Sequence, residues 1–153
     1  MRLLGTAALL CLVIAAACTP AFAATPDELG SDAILELAAD FSDSFVREGP
    51  VGLWVRIQAC YKKASSPGDA DSLPNCIIMD EAAKALDDNY VRALGGTVPN
   101  REWYKNAAFS ERMKTYSQAA FGDPNAYVDL WEKNKKEFGT ALRKLNLQPL
   151  PVR

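Results

Sequence analysis

Apolar residues of this chain recur at three- and four-residue steps over most of its length. The two-residue alternation of a half-buried strand is scarce. Thr25-Pro26-Asp27-Glu28 reads as a capping box, with Thr25 as the cap and Pro26 at the first helical position. Ile34, Leu37, Ala38, Phe41 and Phe45 then mark a first helix, which Gly49-Pro50 stops. A second helix runs from about Val51 to Ala64 on Leu53, Ile57, Cys60, Tyr61 and Ala64, before the turn-rich Ser65 to Asp69. A third begins near Ser72, carries Cys76, Met79, Ala83, Leu86, Tyr90 and Ala93, and ends at Gly95-Gly96. Asn100 caps a fourth, about Arg101 to Phe121, whose two apolar faces predict a kink or break near Ala108. Asp123 and Pro124 open a fifth, to about Leu145, with Val128, Trp131, Phe138, Leu142 and Leu145 inward and a Glu132–Lys136 pair outward. Short connectors favour antiparallel neighbours. The expected fold is all-α, a bundle of four to five helices.

The first 23 residues follow a different pattern. Arg2 precedes an apolar run from Leu3 to Ala17; Pro20 breaks it, and Ala21-Phe22-Ala23 supplies small residues for a signal peptidase. This is the order of a cleavable export signal, and the run is shorter than the roughly 20 residues of a membrane span. Residues 1–23 are therefore expected to leave. Residues 24–153 would remain as one helical domain with an extended tail from about 146 to 153, located in the periplasm or secreted, with no transmembrane span in the mature form. Ala15-Ala16-Ala17-Cys18 is similar to a lipobox, although Ala stands where that motif has Leu. A lipoprotein anchored through Cys18 is the alternative.

Removal of the signal takes two cysteines with it and leaves Cys60 and Cys76. In an oxidising compartment such a pair is normally bridged. Free thiols and a metal pair are the alternatives. A bridge would join the second and third helices at the base of a hairpin. The remaining 130 residues carry a net charge of −3, which argues against a nucleic-acid partner.

Histidine is absent, which excludes His-based triads and His metal ligands. Asp80, Glu81, Asp87 and Asp88, interleaved with Lys84 and Arg92, read as a charge-paired solvent face. Asp80 stands apart: it lies one turn after Cys76, where it can hydrogen-bond inside the hairpin. Asp69 to Asp80 has the length of a calcium loop, but Leu73, Pro74 and Asp80 occupy positions that need a ligand, a glycine and a glutamate. No catalytic constellation, cofactor motif or metal site emerges. Trp54, Trp103 and Tyr104 remain as candidate interaction residues, with coverage of the bundle ends as their structural role.

The segment Cys60-Tyr61-Lys62-Lys63-Ala64, Asn75-Cys76 and Asp80-Glu81-Ala82-Ala83-Lys84-Ala85-Leu86-Asp87 resembles a group of small exported proteobacterial proteins of uncharacterised function. With Tyr90, it also resembles the LprI-type lysozyme-inhibitor domain over about 30 residues. The loop between the cysteines is longer here, and no cysteines remain for the second bridge of such domains, so no functional residue is carried over. The leading expectation is a non-catalytic interaction module, such as an inhibitor or immunity-type partner of an envelope or secreted protein. The alternative is a helical domain that binds a small molecule or lipid.

Overall fold

The computed structural model describes residues 27–66, 68–96 and 100–145. The export signal, Cys18 and the tail from 146 to 153 lie outside the described residues. Within them the chain is helical, with no strand: α1 (Ser31–Ala64), α2 (Leu73–Ala93), α3 (Asn106–Phe121) and α4 (Ala126–Lys144), with 3-10 turns at Ala70–Ser72 and Glu102–Tyr104. None of these helices is long and apolar enough to cross a membrane.

The first two expected helices are the two arms of α1. Gly49-Pro50 kinks it without ending it: Gly49 sits at φ 67°, ψ −166°, a conformation that a side chain disfavours, and Pro50 restarts the helix where its missing N–H costs little. A Cβ at Gly52 would collide with the Glu48 side chain across the kink.

The expected start of the first helix is not observed. Asp27 to Gly30 is non-helical, Gly30 is the N-cap of α1, and Glu28 lies outside the helix; Thr25 and Pro26 fall outside the described residues. This segment is held from afar. Leu29 N donates to Asn134 Oδ1 at 2.8 Å, and the fully buried Asn134 donates from Nδ2 to Leu130 O at 2.8 Å and Asp27 O at 3.4 Å. A long-range tie to α4 therefore replaces the local capping box.

α2 packs against α1, α3 and α4. Cys76, Ile77, Ile78, Met79 and Asp80 are buried in succession, as expected of a helix covered on several sides. Cys60, in the last turns of α1, is bridged to Cys76 in the first turn of α2, with Cα atoms 5.6 Å apart. A cross-link over 16 residues contributes about 3 kcal/mol in the chain-entropy model.

The expected break near Ala108 lies at Lys105, which is extended at ψ 138° and separates the Glu102–Tyr104 turn from α3. Gly122, at φ 71°, closes α3 with Gly122 N donating to Gln118 O. Asn125, not Asp123, holds the N-cap position of α4 but makes no side-chain cap hydrogen bond, while Asp123 Oδ1 accepts from Asn125 N at 2.8 Å. Ser117, fully buried, joins the two helices by donating to Asp123 O and accepting from Tyr127 N. Two details of the fifth expected helix are also corrected. Val128 is exposed, the inward stripe being Leu130, Asn134, Phe138, Ala141 and Leu142, and Glu132 pairs with Lys135 instead of Lys136.

Candidate functional site: two buried carboxylates and a neighbouring pocket

Asp80 and Asp87 lie two turns apart on one face of α2, four residues after Cys76 and Ala83 respectively. They are 0% and 2% exposed, so the solvent-face reading fails for both. An ionised carboxylate can be buried only if it is paired and hydrogen-bonded, and each of these holds a different cation from the chain that follows α2.

Asp80 is gripped by Arg112 of α3 in bidentate fashion, Nε to Oδ2 at 2.6 Å and Nη2 to Oδ1 at 2.9 Å. Tyr61 of α1 donates its hydroxyl to Asp80 Oδ2 at 3.1 Å, so one carboxylate ties three helices together. Burial raises the Asp80 pKa, against the opposing pull of Arg112 and the Tyr61 hydroxyl. Burial, with the Asp80 charge, also drives the Tyr61 phenol well above its ordinary value. Burial works against the Arg112 charge, but the Asp80 hydrogen bonds and the Asp80 charge together outweigh it and hold that guanidinium above its ordinary pKa.

Arg112 also organises the aromatic residues. Its Nη1 donates to Trp103 O at 3.0 Å, and its guanidinium lies 4.7 Å from the Trp54 ring centroid. Trp54 stacks on Trp103 at 5.5 Å and 10°, while Tyr104 meets the two indoles edge-on at 6.0 and 6.2 Å. The three candidate interaction residues are thus brought together, but packed inward. Trp54 and Trp103 are half-buried and Tyr104 is 2% exposed, so Tyr104 is not a surface anchor in this conformation.

Asp87 fixes the other end of the same turn. It accepts from Asn100 Nδ2 at 3.0 Å and Arg101 N at 3.1 Å, and it pairs with the Arg101 guanidinium. Asn100, expected to cap the next helix, is committed to Asp87 and to Asp88 instead. Arg101 also covers the Tyr90 ring, 5.5 Å from its centroid.

Beside the Asp87–Arg101 pair lies a pocket of about 220 Å³, partly open to solvent. The kinked region of α1 contributes Phe45, Pro50 and Leu53; α2 contributes Ala83, Leu86 and Tyr90; Asp87, Arg101 and Tyr104 complete the wall. Ala83 falls about midway between the two aspartates, so a small core side chain of α2 stands in the pocket wall. The Tyr104 hydroxyl is buried with no hydrogen-bond partner among the described residues, as is Trp103 Nε1. Such groups are uncommon in a folded protein. A second cavity, about 250 Å³, has Leu29, Pro74, Phe121 and Leu130 in its wall with the carboxylates of Asp27 and Asp71, and no buried orphan group adjoins it.

No cluster of three or more potential metal-ligating side chains occurs among the described residues. No family model, curated protein or solved structure matches the chain.

The Asp80–Arg112 pair yields a stability prediction. Arg112→Met, which strands Asp80, should lower unfolding free energy by about 3–5 kcal/mol in urea titrations, and adding Asp80→Asn should recover part of the loss. A single-variant loss below about 1 kcal/mol would contradict the role given to this pair. Glu81 yields a second. Burial, with the neighbouring Asp80 charge, pushes its pKa from 4.5 to about 8, against the pull of Lys84. The native state therefore holds a proton through that window which the unfolded chain gives up, and stability falls as pH rises across it. Glu81→Gln should accordingly raise the melting temperature at pH 8.5 and leave it unchanged at pH 4. Equal effects at both values would show that Glu81 ionises normally in the fold.

Proposed function

We propose that this protein is an exported helical domain that binds a small, largely apolar molecule in the cavity between the α1 kink, α2 and the Trp103–Tyr104 turn. One observation carries the reading: a pocket of about 220 Å³ whose wall is mostly apolar, with the charged pair Asp87 and Arg101 at its edge. Apolar walls with a few placed polar groups are the usual make-up of a ligand pocket, and a ligand of one ring is the size that such a space admits. The aromatic cluster, turned inward, favours this role over that of a projecting protein-binding anchor.

The order of charged, apolar and small residues at the start of the chain supports export, as does the Cys60–Cys76 bridge, since disulfides persist in oxidising compartments. Cleavage after Ala23 remains the proposed processing step.

Native mass spectrometry of the protein recovered from the periplasm of an expressing cell tests the reading. A stoichiometric small-molecule adduct is expected on the wild type and not on Leu86→Trp, which fills the cavity while the disulfide and helicity are retained. An unliganded wild type, or an adduct that survives in Leu86→Trp, would count against the cavity as the binding site.

A further inference from the structure

The second cavity, about 250 Å³, is a groove partly open to solvent. Its buried lining includes Phe121 and Leu130, and its exposed lining includes Asp27 and Asp71. No lysine or arginine lines it, so a positive charge entering it meets acids alone. The Asp71 carboxylate has no hydrogen bond or ion pair with another described residue.

The start of the described chain is fastened at the edge of this groove. Asp27 and Leu29 both stand in its wall, and Asn134 pins the non-helical segment that carries them, accepting from Leu29 N at 2.8 Å and donating to Asp27 O at 3.4 Å. Whatever precedes Asp27 is therefore rooted there. Cleavage after Ala23 leaves three residues ahead of that root, Ala24-Thr25-Pro26. Extended, they reach about 10 Å, which covers a groove of this size.

The same cleavage changes the charge of position 24. In the uncut chain its nitrogen is a neutral amide. Water breaks the Ala23–Ala24 bond, the new carboxylate departs with the signal, and the amine stays on Ala24. An α-amine titrates at about 8, so it is mostly protonated at neutral pH. Processing thus creates a cation within three residues of a groove whose only charged lining residues are acids. Thr25 and Pro26 add no charge of their own, and the Ala24 methyl and Pro26 ring suit the apolar lining.

Resting on the export reading above, we propose that the N-terminus made by signal cleavage fills this groove, with residues 24–26 folded into it and the Ala24 ammonium against the Asp71 carboxylate. An exposed ion pair between separate molecules would contribute little. Here the tether makes the encounter intramolecular, and Pro26 restricts both itself and Thr25, which lowers the entropy lost on docking. The long-range tie through Asn134 then has a purpose: it aims the new terminus. The precursor, lacking the cation, cannot make the contact.

The test uses the disulfide-bonded protein recovered from the periplasm. Intact mass and N-terminal sequencing should give a chain that starts at Ala24. Its NMR spectrum should show nuclear Overhauser contacts from the Ala24 methyl to the Phe121 ring or the Leu130 methyls. Acylation of the α-amine by a succinimidyl ester, followed by mass spectrometry, should run about threefold to fivefold faster in Asp71→Asn. That acceleration should vanish when a Gly-Ser extension ahead of Ala24 displaces the ammonium. Methyl shifts remote from the groove serve as the folding control for both variants. A chain that starts at Ala24 without those contacts would overturn the docking and leave export standing, as would an acylation rate unmoved by Asp71→Asn or accelerated equally in the extended chain. Protein that retains residues 1–23, or that carries lipid on Cys18, would overturn the cleavage step and the docking with it.

Discussion

The buried ion pair between Asp80 and Arg112 is the contact on which the rest of this arrangement depends. A carboxylate at the centre of a small helical domain is a liability, because desolvation costs several kcal/mol per ion and is offset only when geometry and hydrogen bonding are both good. Here both are: the guanidinium grips in two-pronged fashion, the Tyr61 hydroxyl takes a third bond, and the remaining face of Arg112 lies against Trp54. The same guanidinium reaches the Trp103 carbonyl. A single side chain thereby fixes where α3 sits on α2 and where the turn before α3 must run.

Asp87 repeats the device two turns later with Arg101 and Asn100. The connector after α2 is thus fastened at both ends to charged positions on one helix face. Ala83 lies between those fastenings, and Tyr104 is brought over the region they frame. The kink at Gly49-Pro50 turns the opposing wall, since Pro50 itself lines the space. The cavity is consequently a product of three local features, none of them a large movement of the backbone. The disulfide closes the hairpin that carries Tyr61 and Asp80, so the redox state of Cys60 and Cys76 bears on the same centre.

Much of the helical architecture was legible in the residues. Gly-Pro, Gly-Gly and Gly-Asp-Pro marked the breaks, and the three- to four-residue period marked the elements between them. The cysteine pair on facing stripes pointed to the bridge, and the position of Asp80 after Cys76 pointed to a hydrogen bond inside the hairpin. What failed to show were outcomes decided by distant partners. The capping box at Thr25 to Glu28 lost to Asn134, which lies more than a hundred residues away. Asn100 was drawn from capping to Asp87. Asp87 looked like a surface acid because its neighbours Lys84 and Asp88 pair with each other. The register itself held the missing signal: Asp80 and Asp87 each follow an inward residue by four positions, so both had to face a neighbour. Arg112 gave no comparable sign, since nothing local distinguishes it from any other helical arginine. Trp54, Trp103 and Tyr104 could be singled out, but whether they turned outward or inward depended on that arginine.

The reading thus rests on a largely apolar pocket held open beside the fixed Asp87–Arg101 pair. A crystal of the disulfide-bonded protein pressurised with xenon measures that space directly, because xenon enters apolar cavities and leaves a strong anomalous signal. The account predicts a xenon atom against Leu53, Ala83 and Leu86, beside the Tyr104 ring. Side chains closed over that position, with no xenon there, would contradict it.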